Sequence, residues 1–329
     1  MASQGTKFAD TLQGLMKEMN DLWGYAGDDD ISGGMLEDTI RGGKGDDRVW
    51  AGGSDDSIFG DTGNDVLFGT EGNDTVRGGD GDDTVSGGKG DDFITGGRGN
   101  DTLSGNTGDD LILAGSGDDI IDGGAGNDWI DGGAGADIID GGSGDDIVLA
   151  SSGQDSLSGG SGFDTLDYSR VAVSVSVDLV EGAARFGTGN NAVSQSIEGF
   201  ETIVGNDAAG RDVGADKTGT WFIGGDSADW FRGKGGADTL TGNGGADTFA
   251  YLKKDTAGGA VDRITDFTVG TDRLDMSDFL KGHKSYAESV RFADAGSDTI
   301  VQGLVKGQWV DVVSLDGVDS QDVGFSILV

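Results

Sequence analysis

Between Gly24 and Asp167 one aliphatic residue stands at every ninth position, from Ile31, Ile40 and Val49 through Ile112, Ile121 and Ile130 to Leu157 and Leu166. An aliphatic side chain between two mostly polar neighbours, as in Thr102-Leu103-Ser104, fits a three-residue strand whose middle residue points inward. The six residues before each strand must turn, and the glycines among them supply the positive φ values that tight turns need. Sixteen such units follow one another without insertion or deletion, so the pattern predicts a stack of short strands.

Outside this block the pattern changes. In "MASQGTKFADTLQGLMKEMNDLW" the residues Phe8, Leu12, Leu15, Met19 and Leu22 fall on one helical face, which predicts a short amphipathic capping helix over 1–23. The stretch "VAVSVSVDL" (Val171 to Leu179) alternates with period two and reads as a longer half-buried strand, and 180–223 read as degenerate coils. The nine-residue rhythm returns over 224–250, and 251–329 reads as a β-rich end. No apolar run reaches the length of a membrane span, and the N-terminus lacks the basic and apolar regions of a cleavable secretory signal.

Composition explains what holds such a stack. The chain carries a formal charge of -38, and of its 60 acidic residues only seven are Glu, so the short carboxylate is favoured over the better helix former. There are 66 Gly, no Pro and no Cys. Heavy glycine use and self-repulsion both oppose folding, and no disulfide is available as a cross-link. Such acidity disfavours nucleic acid and anionic membrane surfaces as partners and favours divalent cations.

The acids sit in a fixed column. Position six of the unit is Asp in all sixteen: Asp29, Asp38, Asp47, Asp56, Asp65, Asp74, Asp83, Asp92, Asp101, Asp110, Asp119, Asp128, Asp137, Asp146, Asp155 and Asp164. Position four is Gly except at Leu36 and Ser54. Turn capping alone would also accept Asn or Ser at position six, and neither occurs there. Asp229, Asp238 and Asp247 occupy the same place in the three later units. Two units make an 18-residue coil, which stacks every second Asp at about 4.8 Å along one edge. Carboxylates at that spacing repel unless a cation lies between them. Calcium fits, since it takes six to eight oxygens from carboxylates and backbone carbonyls. Sixteen units give eight aspartates and seven gaps per edge, hence about fourteen ions, which would bring the charge from -38 to about -10. A position-five residue such as Asp109 is expected to supply only a carbonyl.

The unit G-G-x-G-x-D-x-U-x resembles the calcium-binding nonapeptide of the RTX (repeats-in-toxin) family. The resemblance implies an all-β fold, a parallel β-roll, in a protein secreted to the outside or surface of a Gram-negative cell. "VDRITDF" is similar to the sequence that closes the roll in many RTX exoproteins, which adds Asp262 and Asp266 to the metal residues. The ending "DVGFSILV" resembles an uncleaved type I secretion signal, with the export apparatus as a transient partner.

No catalytic constellation accompanies these features. There is no HExxH, no Cys nucleophile and no G-x-S-x-G elbow, and the one histidine, His283 in "KGHKS", reads as an exposed loop residue. Ice binding would need a regular Thr or Asn array, but position three runs Ala26, Met35, Lys44, Gly53, Thr62 and Glu71. Two readings stand: a structural, adhesive or matrix protein at the cell surface, which Met1 and the expected capping helix favour, or the folding and secretion module of an exoenzyme (protease, lipase or epimerase) whose catalytic domain lies elsewhere. One further feature needs a cover: Phe93, Leu111, Trp129 and Ile147 recur 18 residues apart at position seven, with Leu113 and Leu149 beside them. The protein's own 168–223 strands, a second copy or another partner would bury such a stripe.

Overall fold

The computed structural model describes residues 2–151, 153–173, 175–179, 181–186, 193–205, 219–256, 259–281, 286–323 and 327–328. It divides into two compact units, Met1–Leu166 with Glu198–Phe200, and Asp167–Ile197 with Glu201–Val329.

In the first unit successive strands go alternately to two parallel sheets, and from Asp21 to Ser143 each strand pairs with the one 18 residues on. Thus Thr102 and Leu103 lie opposite Ile120 and Ile121 in one sheet, and Phe93 and Ile94 opposite Leu111 and Ile112 in the other. One coil therefore holds two nonapeptides, as the spacing predicts. Every position-eight aliphatic is 0–3% exposed, and burying each such side chain is worth about 1.5–3 kcal/mol. The core between the sheets is one aliphatic residue deep per strand.

The glycines are dictated by how closely coils approach. At position four, Gly99 has φ +119, and a Cβ built there would overlap the carbonyl oxygen of Gly81 in the previous coil. A side chain at that site would clash and strain the backbone together.

The first 23 residues do not form the expected capping helix. They form strands Ala2–Gln4, Thr11–Gln13 and Asp21–Trp23, the last paired in parallel with Thr39–Lys44, so the roll begins earlier than its sequence rhythm. The physical reason lies in the burial pattern. Leu12 and Leu22 are 8% and 0% exposed and take the position-eight role, whereas Phe8, Leu15 and Met19 face solvent. The helical spacing was a coincidence of two core leucines with three surface residues.

In the second unit the segment expected as degenerate coils is partly an antiparallel meander. Val175–Asp178 pairs with Ala183–Phe186, which pairs with Val193–Glu198, all antiparallel. Gly182 turns the chain between the first two at φ +62. Without the glycine and aspartate columns nothing forces a coil, and alternating residues zip locally instead. Coils resume with Trp221–Ile223, Thr239–Thr241 and Asp262–Ile264 in one parallel row, and Trp230–Phe231, Thr248–Ala250 and Arg273–Asp275 in another. Phe231 and Phe249 stack between them at 5.1 Å. Val290–Ala295, Asp298–Val305 and Gln308–Leu315 add an antiparallel meander. His283 lies outside the described residues, as do residues 324–326 and 329 of the ending. Among the described residues no helix is long and apolar enough to cross a membrane.

Candidate metal centre

The coil geometry brings every position-six aspartate of the first block inside, at 0–4% exposure. Each accepts a backbone bond from the coil before it: the Asp83 N–H donates to Asp101 Oδ1 at 2.8 Å, and the Asp101 N–H to Asp119 Oδ1 at 2.7 Å. The bond repeats along both edges, with Asp92 N–H to Asp110 Oδ1 at 2.7 Å on the other. One carboxylate oxygen is thereby fixed.

The second oxygen is not. Oδ2 of every position-six aspartate from Asp47 to Asp146 is buried with no hydrogen-bond partner. A native interior rarely leaves polar groups in this condition, and a row of buried charges requires a counter-charge. The second oxygens face a built cradle. A Cβ added to Gly96, at position one, would overlap the Asp101 carboxylate and lie 2.7 Å from the carbonyl oxygen of Ala114 in the next coil. At Gly141 the same point is 2.6 Å from Asp146 Oδ2 and 2.5 Å from Gly159 O. Carboxylate and carbonyl oxygens thus converge beside a glycine that leaves room. Among the described residues no three Asp, Glu, His or Cys side chains gather to hold a metal. An ion here would draw on carboxylate and carbonyl oxygens, a mixture that calcium accepts and that soft, nitrogen-seeking metals do not favour.

The electrostatics agree. Burial pushes Asp47, Asp83, Asp92, Asp137 and Asp146 up to about 7 and Asp56 to about 8. The N–H from the neighbouring coil lowers each value, and carboxylates above and below raise it again. Asp65, Asp74, Asp101, Asp110 and Asp128 rise for the same leading reason to about 6. Near neutral pH such a column holds charge reluctantly without cations.

In the second unit Asp229, Asp238 and Asp247 are buried and continue the scheme. The Asp229 N–H donates to Asp247 Oδ1 at 2.9 Å, and the Asp238 N–H to Asp262 Oδ1 at 3.0 Å, so Asp262 occupies a ladder place. Asp266 does not: its two oxygens accept the N–H groups of Gly242 and Asn243 at 2.9 and 2.7 Å. The place opposite Asp247 belongs to Asp272, whose Oδ1 accepts the Asp247 N–H at 3.1 Å. Asp10 likewise heads one column of the first unit, accepting Thr6 N–H at 2.5 Å and donating to Asp29 Oδ1 at 2.7 Å. Sequence reading missed Asp10 and Asp272 because they stand 19 residues before Asp29 and 25 after Asp247, out of step with 18. Position five also does more than expected. Asp109 Oδ1 accepts the Asn127 N–H at 2.7 Å, one rung of an exposed second ladder beside the buried one.

A family profile for the RTX calcium-binding nonapeptide repeat, four copies long, matches residues 20–35, 36–67, 68–103, 95–130, 104–139, 131–166 and 223–251, more than half of the chain. The chain belongs to the RTX calcium-binding repeat family. It is therefore a calcium-binding RTX module on a parallel β-solenoid. No curated protein matches the RTX chain. Among solved structures it is similar to a hyperactive, Ca2+-dependent, β-helical antifreeze protein from an Antarctic bacterium, at 20% identity and TM-score 0.31, over 75% of this chain and 85% of that one. It is also similar to the extracellular lipase LipA from Serratia marcescens, at 15% identity and TM-score 0.20, over 75% of this chain and 40% of that one.

On the outside of the RTX roll the apolar column is in register: Phe93 lies opposite Leu111, Leu111 opposite Trp129 and Trp129 opposite Ile147. Leu111 and Ile147 are exposed, while Phe93, Leu113 and Trp129 are half-buried. Leu149 does not widen an exposed stripe, being 5% exposed. Its strand stops after three residues instead of six, and Leu149 and Ala150 are both buried where it stops.

Proposed function

We propose that this RTX chain leaves the cell unfolded, folds on extracellular calcium, and then serves a structural, adhesive or matrix role at the cell surface with no catalysis of its own. The observation that carries the reading is the row of buried carboxylates with an unpartnered oxygen in each coil from Asp47 to Asp146. A fold with that interior is complete only when cations enter it.

The position-six aspartates would hold the ions, and position-one carbonyls such as Ala114 O would add oxygens to the shell. Bound calcium supplies charge neutralisation and a cross-link between coils. Seven gaps on each edge give about fourteen ions in the first block, with further sites among Asp229, Asp238, Asp247 and Asp262. Extracellular calcium modules bind at about 10⁻⁴ to 10⁻³ M. Cytosolic calcium then leaves the columns repelling and the chain open for a type I channel, and millimolar calcium outside draws it shut. Circular dichroism tests this directly: mostly coil in chelator, with β-structure appearing cooperatively between about 0.1 and several mM calcium. Stable β-structure in chelator at neutral pH would refute the gate.

A further inference from the structure

The two aspartate columns of the first unit end differently. One begins with the carboxylate of Asp10, and the other with an amide, Asn20. We propose that the Asn20 side chain is a built-in substitute for the terminal cation of its column, so that the first coil closes on that edge without metal. The proposal rests on the calcium reading of the columns and concerns a place where the residues do not fit an ion.

Asn20 stands 18 residues before Asp38 and takes the ladder place, its N–H donating to Asp38 Oδ1 at 2.6 Å. It is 6% exposed. Its Oδ1 accepts the Leu15 N–H at 2.9 Å, and its Nδ2 donates to Asp38 Oδ1 at 2.8 Å, Glu18 O at 3.0 Å and Leu15 O at 3.3 Å. This network fixes the orientation of the amide, because a flipped side chain would aim its oxygen at three acceptors and its NH2 at a donor. The nitrogen therefore lies among a carboxylate oxygen and two turn carbonyls, the kind of oxygen set that calcium accepts.

The nitrogen also stands where other coils place a column carboxylate oxygen, so a donor replaces a ligand there. A Cβ built on Gly14 would lie 2.6 Å from Asn20 Nδ2, just as one on Gly123 or Gly141 lies 2.6 Å from Oδ2 of Asp128 or Asp146. The consequence appears one coil on. Asp38 Oδ2 accepts the Gly34 N–H at 2.6 Å, whereas the Oδ2 atoms of the column aspartates from Asp47 to Asp146 accept nothing. With Asn20 on one oxygen and Gly34 on the other, the Asp38 carboxylate is satisfied by protein donors alone. A neutral amide that donates into the site leaves a dication neither charge nor room. The coil at this end is thus held independently of calcium and offers a fixed edge for the next coils to stack on.

Native mass spectrometry at saturating calcium, with thermal unfolding on the same samples, tests this. Asn20→Asp should bind one ion more than the wild type, and Asn20→Ala should bind the same number while melting at a lower temperature. An unchanged count in Asn20→Asp, or one ion fewer in Asn20→Ala, would overturn the proposal, the latter because Asn20 would then itself be a ligand. If the wild type bound no calcium at all, the column reading would fall and this proposal with it. A loaded wild type with no extra ion in Asn20→Asp defeats only the role of the amide.

Discussion

Replacing Asp101 separates the two jobs that each column aspartate performs. Asp101→Ala removes the buried acceptor of the Asp83 N–H, a bond of 2.8 Å, and an orphaned buried donor costs about 1–3 kcal/mol. It also removes a calcium ligand, and an ion present at 100 times its dissociation constant contributes about 2.7 kcal/mol. Together the loss is about 4–6 kcal/mol at saturating calcium. Asp101→Asn keeps an oxygen for the Asp83 N–H and loses only charge at the ion, so it should cost about 2.7 kcal/mol. Asp109→Ala deletes an exposed rung at 2.7 Å and should cost about 0.5–1.5 kcal/mol. Urea unfolding followed by circular dichroism at several calcium concentrations reads all three. Both Asp101 variants should show a shallower dependence of stability on calcium than the wild type, and only the Ala variant should carry an additional deficit independent of calcium. Equal losses for Asp101→Ala and Asp109→Ala would contradict the assignment of position six to the ions.

The pH dependence should change sign with calcium. Eleven column aspartates, those from Asp47 to Asp110 and from Asp128 to Asp146, have folded values of about 6 to 8, above the ordinary carboxylate range near 4, so in chelator they favour the roll at pH below about 4 and that support is lost as pH rises through 6 to 8. Acidifying a chelated sample from pH 8 to 4 should therefore raise its β-signal, while the calcium midpoint should climb roughly tenfold between pH 8 and 5.5 as protons compete; a midpoint independent of pH would count against buried carboxylate ligands. Trp129→Asp, in the apolar column, should lower the melting temperature at saturating calcium with mass unchanged if the chain covers the column itself, or dissociate an oligomer if a second copy does. Light scattering with calorimetry distinguishes the two, and no change in either removes any role for the column.

Most of the first unit could be read from the sequence because every coil imposes the same constraints. Ile112 must fill a one-residue core, Gly108 must avoid the carbonyl of Gly90, and Asp110 must sit over Gly105, so each requirement recurs nine residues away. Where a constraint relaxes, the text becomes ambiguous. Leu12 and Leu22 are ten apart instead of nine, and with Phe8, Leu15 and Met19 they imitate a helical face. Asp272 carries a ladder bond, but the extra residues between it and Asp247 hide the period. Ser176 and Val177 alternate as a strand should, yet alternation leaves open whether the partner runs parallel or, as with Arg185 and Ala184, antiparallel. Asn20 was the least visible, because its meaning depends on which donors its amide faces.

The most direct test of the account is the anomalous scattering of calcium in crystals grown with the ion. The account predicts two rows of about seven peaks, one along each edge of the first block, each peak between consecutive aspartates of one column and about 4.8 Å from the next, with none beside Asn20. Peaks scattered over the outer faces, or a total far below ten, would contradict the claim that buried aspartate columns hold the fold together through calcium.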